Sequence, residues 1–88
     1  MKSVLQKKRR CLFCGSTAVE CHHVFEGAHR SASDRYGLTV YLCRKHHMLV
    51  HADEALNKRL KSEAQEKAMK VYGFDEKEWL DIFRRNWR

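Results

Sequence analysis

The chain has 88 residues, enough for one small domain that buries only about 60–65% of the surface its unfolded form exposes, so its core is marginal. Its 18 Lys and Arg against 11 Asp and Glu give a formal charge of +7, which points to a polyanionic partner, nucleic acid ahead of membrane, or else to a basic solvated surface with no specific partner. Nothing reads as a signal peptide or a membrane span, so a cytoplasmic setting is expected, where clustered Cys are metal ligands before they are disulfides.

Residues 1–10 form a basic N-terminal arm that ends in four cations, Lys7 to Arg10. Such a run is either a solvated tail or, beside a folded site, a holder of phosphate. Cys11-Leu12-Phe13-Cys14-Gly15 follows. Its C-x-x-C spacing lets two thiolates reach one tetrahedral ion, and Gly15 can take the positive φ of the turn. A redox C-x-x-C has the same spacing, but no βαβ pattern surrounds this one.

Residues 18–25 are rich in β-branched and apolar side chains and read as a strand. Residues 26–37 are a polar loop bounded by Gly27 and Gly37, with room for a helical turn. A second strand is expected over Leu38–Leu42. A helix is expected from about Arg44. Leu56, Leu60, Ala64 and Ala68 recur every four residues, and Val71-Tyr72 extends the stripe toward a stop at Gly73. Asp75 and Glu78 have the spacing of a capping box for a last helix, which places Trp79, Ile82, Phe83 and Trp87 on one side, for a core or for an oligomer contact.

The ligand arithmetic gives two sites. Cys11 and Cys14 pair with Cys43 and His46, which share the same two-residue gap, to make a closed Cys₃His set suited to structural Zn²⁺. Cys21 is left over, either as a substitute fourth ligand or as a small buried apolar residue. The second set is His22-His23 on the first strand with His47 and His51, an i,i+4 pair on one helix face. Three neutral imidazoles bind a divalent ion and leave an open position, and a fourth imidazole beside them can deprotonate water. His46 and His47, adjacent in sequence, are thereby expected to serve different ions.

A strand with His-His, a loop, a second strand and a helix carrying His-x-x-x-His resembles the ββα-metal motif of HNH endonucleases. The flanking Cys pairs resemble the zinc-stapled members found in phages and prophages, and the histidine arrangement is similar to that of the nuclease colicins. The segment from Cys11 to His51 carries the likeness, including Glu20-Cys21-His22-His23-Val24-Phe25-Glu26-Gly27-Ala28-His29-Arg30, then Ser33-x-x-Tyr36-Gly37 and Leu42-Cys43.

The resemblance implies an α+β fold. A ββα-metal core at about residues 11–52 is stapled by zinc and followed by two C-terminal helices at about 53–88, all in a single nuclease domain over 11–88. It implies a DNA-nicking enzyme in which His23 is the general base. His22, His47 and His51 hold the catalytic ion: Zn²⁺, Mn²⁺ or Ni²⁺ on ligand grounds, with Mg²⁺ usable.

The family's middle residue, usually Asn, is met here by Thr39, whose hydroxyl or backbone carbonyl would orient His23. Arg30 and Arg35 in the loop are candidate phosphate clamps, or else solvated surface arginines. Lys8, Arg9, Arg10 and Arg84-Arg85 would hold the backbone further out, and His29 is either a substrate contact or a plain loop residue. DNA is the expected partner, a membrane is not, and a monomer is expected. The Thr39 departure leaves one alternative, a non-catalytic zinc-stapled DNA-binding module. In an ideal strand His22 and His23 point to opposite faces, so the strand has to end or bend there if both serve one site.

Overall fold

In the computed structural model, which describes residues 3–88, β1 (Val19–His23) and β2 (Thr39–Cys43) pair antiparallel. Val19 lies opposite Cys43 and His23 opposite Thr39. The connection between the strands holds a 3₁₀ turn (Gly27–His29) and a short helix, α1 (Arg30–Arg35), where one helical turn was expected. β2 runs directly into α2 (Arg44–Ala52), and α3 (Glu54–Tyr72) and α4 (Glu76–Phe83) follow. Among the described residues the fold is therefore a small α+β arrangement with a two-stranded sheet and four α-helices. Among the described residues no helix is long and apolar enough to cross a membrane.

β1 does not show the alternation of a half-buried strand: Glu20 and Cys21 are both exposed, and His22 is its one buried side chain. Opposite it, Val40 and Leu42 of β2 are buried in the main core with Val24, Phe25, Leu38 and Val50. β1 stops at His23, and the chain bends at Val24 and Phe25. That bend is the feature that the adjacent histidines required. Both now line one pocket although they are neighbours on a strand.

Met1 and Lys2 of the expected arm lie outside the described residues. Ser3 to Gln6 are tied to the β2 side of the sheet rather than solvated. Val4 N–H donates to the Gly37 carbonyl (2.9 Å), and Tyr41 N–H donates to Gln6 Oε1 (2.8 Å). Val4 and Leu5 pack against the core. These contacts satisfy the free edge of β2, which a two-stranded sheet would otherwise leave open. Of the described arm, only Lys7 to Arg10 remain exposed.

Asp53 breaks the helical run after α2. Its backbone is extended, and its side chain accepts from Leu56 N–H (3.0 Å), so it caps α3. Leu60, Ala64 and Ala68 are buried as their four-residue period requires, while Val71 and Tyr72 are exposed, so the stripe ends earlier than the sequence pattern suggests. Gly73, at φ 68°, ends α3 in the left-handed conformation.

The Asp75–Glu78 capping box is formed in both directions. α4 then stacks Trp79 on Phe83 (centroids 4.1 Å apart) and sets both against Phe25. Trp87 falls beyond the end of α4 but still packs on this cluster. Buried Gln65 of α3 holds the tail, accepting from Trp87 N–H (2.6 Å) and donating to Asn86 Oδ1 (2.8 Å). The C-terminal segment thus buttresses Phe25, within the bend after β1.

Candidate functional site

α2 begins where β2 ends, so its first turn faces the C-x-x-C knuckle across the end of the sheet. Cys11, Cys14, Cys43 and His46 come together there with ligand atoms within 4.8 Å of one another, a group that could hold a metal ion. Around a tetrahedral ion with thiolates at about 2.3 Å, sulfur–sulfur edges are about 3.8 Å and sulfur–nitrogen edges about 3.6 Å. Cys14 Sγ and Cys43 Sγ are 3.8 Å apart, and Cys11 Sγ and His46 Nδ1 are 3.5 Å apart. Cys43 Sγ lies closer to His46 Nδ1, at 3.1 Å. All four cysteines are free thiols.

Burial works to raise the Cys11 thiol, but the backbone N–H groups of Cys43, Cys14 and Phe13 outweigh it and bring Cys11 down to about 6. The Ser16 backbone works to lower Cys14, but the Cys11 sulfur beside it, partial desolvation and Cys43 carry it upward. One sulfur ionises at the expense of the next, and that repulsion is what a bound cation relieves.

One residue further along α2 the helix turns by about 100°. His47 and, one turn on, His51 therefore face β1 instead of the sulfurs. His22, His47 and His51 form a second group with ligand atoms within 4.8 Å of one another. The ring centroids of His22 lie 5.0 Å from His47 and 5.5 Å from His51. His22 is 2% exposed, and its Nε2 is buried with no hydrogen-bond partner. A buried polar atom without a partner is costly, and here its ring packs beside two other imidazoles in a group that could hold a metal ion. Burial pushes His22 down to about 4, with His47, His51, Lys61 and His23 adding to the effect. At neutral pH the ring is uncharged and its lone pair is available.

The carboxylates around this group were not expected from the sequence. Glu20 Oε1 meets His47 Nδ1 at 2.9 Å, and Arg44 stands 3.7 Å from the other Glu20 oxygen. The hydrogen bond to His47, resisted by a little desolvation, holds the Glu20 carboxyl below its ordinary range. It also fixes the His47 ring so that Nε2 is the nitrogen left for a ligand. Glu20 stands two residues before His22 and so shares its strand face, a signal that the period of a strand does carry.

His23 stays outside the three-imidazole group but lines the same pocket, of about 370 Å³, with His22, Glu26, Arg30, His47 and His51. Its Nε2 lies 2.7 Å from Asp34 Oδ1 of α1. Thr39 was expected to orient this ring. It does lie opposite His23 in the sheet, but Asp34 is the partner the ring has, and the Thr39 carbonyl instead accepts from Ser3 Oγ. Asp34 is eleven residues downstream on a separate helix, and no spacing rule points to it.

Cys21 takes neither of its expected roles: it is exposed and outside both groups. Of the two loop arginines, Arg30 lines the pocket, while the Arg35 guanidinium lies 5.7 Å from the Tyr36 ring centroid. Lys8, Arg9 and Arg10 are exposed, with Arg9 5.5 Å from the Tyr41 ring. His29 sits in the 3₁₀ turn with its ring 6.0 Å from that of Phe83.

No protein-family model matches this sequence, and searches of curated proteins and of solved structures returned no match.

Proposed function

We propose that the chain is a metal-dependent endonuclease of the HNH type that hydrolyses DNA phosphodiester bonds by nicking. A structural Zn²⁺ at Cys11, Cys14, Cys43 and His46 would lock α2 against the knuckle. The observation that carries the reading is the grouping of His22, His47 and His51 around a buried nitrogen without a partner, in a pocket that His23 also lines. Three imidazoles leave positions open on an ion, which suits catalysis rather than a closed structural role.

His22, His47 and His51 would hold a divalent ion: Zn²⁺, Mn²⁺, Ni²⁺ or Mg²⁺. Such an ion stabilises negative charge on a phosphate and on the departing oxygen. His23, with Nε2 held by Asp34, has its other nitrogen to take a proton from the attacking water. Arg30 presents a guanidinium to the scissile phosphate. Arg35, Lys8, Arg9 and Arg10 contact the backbone further out, where contacts carry no sequence selectivity. The resemblance of residues 11–51 to phage-encoded HNH proteins supports a phage-associated role in a host cytoplasm.

The test is the conversion of supercoiled plasmid to open circles with Mg²⁺, Mn²⁺, Ni²⁺ or Zn²⁺ supplied in turn. His23→Ala is expected to lower the rate by about 10²–10⁴. If no ion supports nicking while DNA binding persists, the chain is a non-catalytic zinc-stapled DNA-binding module. A His23→Ala variant as fast as the parent removes the proposed mechanism.

A further inference from the structure

We propose that Glu26 is a fourth protein ligand at the His22–His47–His51 site and that it tilts this site toward Mn²⁺. The inference rests on the reading of the three histidines as a metal site. Glu26 Oε1 stands 3.9 Å from His22 Nε2, and Glu26 Oε2 stands 3.7 Å from His51 Nδ1. Both distances are too long for hydrogen bonds. Two donors that share one ion at bonds of about 2.1 Å lie no more than about 4.2 Å apart, and both distances are inside that reach. The carboxylate therefore stands off from the two imidazoles by the width of a shared ion.

Two further observations point the same way. His22 Nε2, the atom that Glu26 approaches, is one of two buried side-chain atoms without a hydrogen-bond partner among the described residues, the other being Asn57 Oδ1. Glu26 also occupies the N-cap position of the 3₁₀ turn, where a carboxylate commonly accepts from the backbone, and its side chain makes no such bond. The backbone sets the carboxylate where it stands. Glu26 is extended (φ −97°, ψ −177°), and Gly27 follows at φ 61°, a value that L side chains rarely adopt. This turn carries the chain out of the bend after β1 and leaves the carboxylate lining the pocket.

A carboxylate changes which ion the site prefers. Imidazoles alone suit Zn²⁺ and Ni²⁺, whereas carboxylate oxygen suits the harder Mn²⁺ and Mg²⁺. Glu20 provides an internal control. It touches the site only through the far nitrogen of His47, so it orients a ligand without meeting the ion. Losing Glu20 weakens every ion alike, and losing Glu26 changes their ratio.

The experiment takes the full chain with one zinc equivalent at the cysteine cluster and titrates Mn²⁺ and Ni²⁺ by calorimetry, for the parent, Glu26→Gln and Glu20→Gln. Expected is a fall in Mn²⁺ affinity of at least about tenfold in Glu26→Gln with a much smaller change for Ni²⁺, and an unchanged Mn²⁺/Ni²⁺ ratio in Glu20→Gln. A Glu26→Gln protein that binds both ions in the parent's ratio overturns the inference while leaving the histidine site intact. Loss of the folded far-ultraviolet spectrum in Glu26→Gln also overturns it, because the side chain would then have a structural task. A parent that takes up no second ion defeats the metal-site reading itself, and this inference with it.

Discussion

Two clusters of residues that could hold a metal ion meet on the first turns of α2, and they differ in what surrounds the donors. The cysteine cluster has four donors, two edges that match those of a tetrahedron and a third that is shorter, and no acidic side chain paired to it among the described residues. The histidine cluster has three donors, a buried nitrogen without a partner, a pocket, and carboxylates on both sides. A closed set stabilises the fold and leaves no position for a substrate, whereas an open set flanked by charges is suited to bind and turn over a ligand. The separation comes from one helical step between His46 and His47, so a single strand-to-helix junction builds both.

The largest expected effect falls on the closed cluster. Binding of a structural zinc to such a set is worth about 10–16 kcal/mol, comparable with the whole stability of a domain this small. Cys43→Ser should therefore lose its cooperative thermal transition, and a strong chelator should do the same to the parent. A Cys43→Ser protein that melts like the parent would show that the cluster is not the staple.

The open cluster should answer to acid instead. His22 stands at about 4 in the fold against 6.5 when free. Between these values the unfolded chain binds more protons than the folded one. The stability this provides is complete above pH 6.5 and is lost as the pH falls toward 4. For protein without an ion at the histidines the loss reaches about 2 kcal/mol by about pH 5. Denaturant midpoints should fall more steeply from about pH 6.5 to about pH 5 in the parent than in His22→Leu. Parallel curves would mean that His22 is not held neutral by its surroundings.

The two clusters also differ in how far the sequence discloses them. The Cys₃His set follows from two equal gaps, and the His47/His51 pair from helical period, because local spacing fixes which face a side chain shares. α4 and its capping box were legible for the same reason. Ser3 to Gln6 were not, since their partners are backbone groups of residues 37–41 and a basic arm has no pattern that announces a sheet edge. Asp34 and Glu26 were missed because their roles depend on how the chain bends after His23. Gln65 was missed because helical period marks a buried face without saying which polar residue on it will find partners.

A smaller effect tests one such disclosure. Under the endonuclease reading Asp34 positions His23, and Thr39 does not. Outer-shell partners of this kind are worth about 10–100-fold in activity. Asp34→Asn should slow plasmid nicking by about tenfold, less than His23→Ala, while Thr39→Val stays near the parent rate. The reverse order would return the orienting role to Thr39 and make the 2.7 Å contact of His23 with Asp34 incidental.

Under the same endonuclease reading, the smallest effect concerns how the open site would meet DNA. Arg30 lines the pocket, whereas Lys8 belongs to the exposed run that precedes the knuckle. Removing a cation that meets one phosphate should reduce the slope of log affinity against log salt by about 0.9 on duplex DNA, whichever residue supplies it. The two differ in the chemical step. Lys8→Ala should weaken binding and leave the nicking rate at saturating DNA unchanged, because a distant backbone interaction acts equally before and during reaction. Arg30→Ala should lower that saturated rate as well, because a guanidinium beside the three imidazoles bears on charge that develops only as the phosphorus is attacked. Equal saturated rates for the two variants would place Arg30 among the outer cations and leave the histidines as the only groups that act on the reacting phosphate.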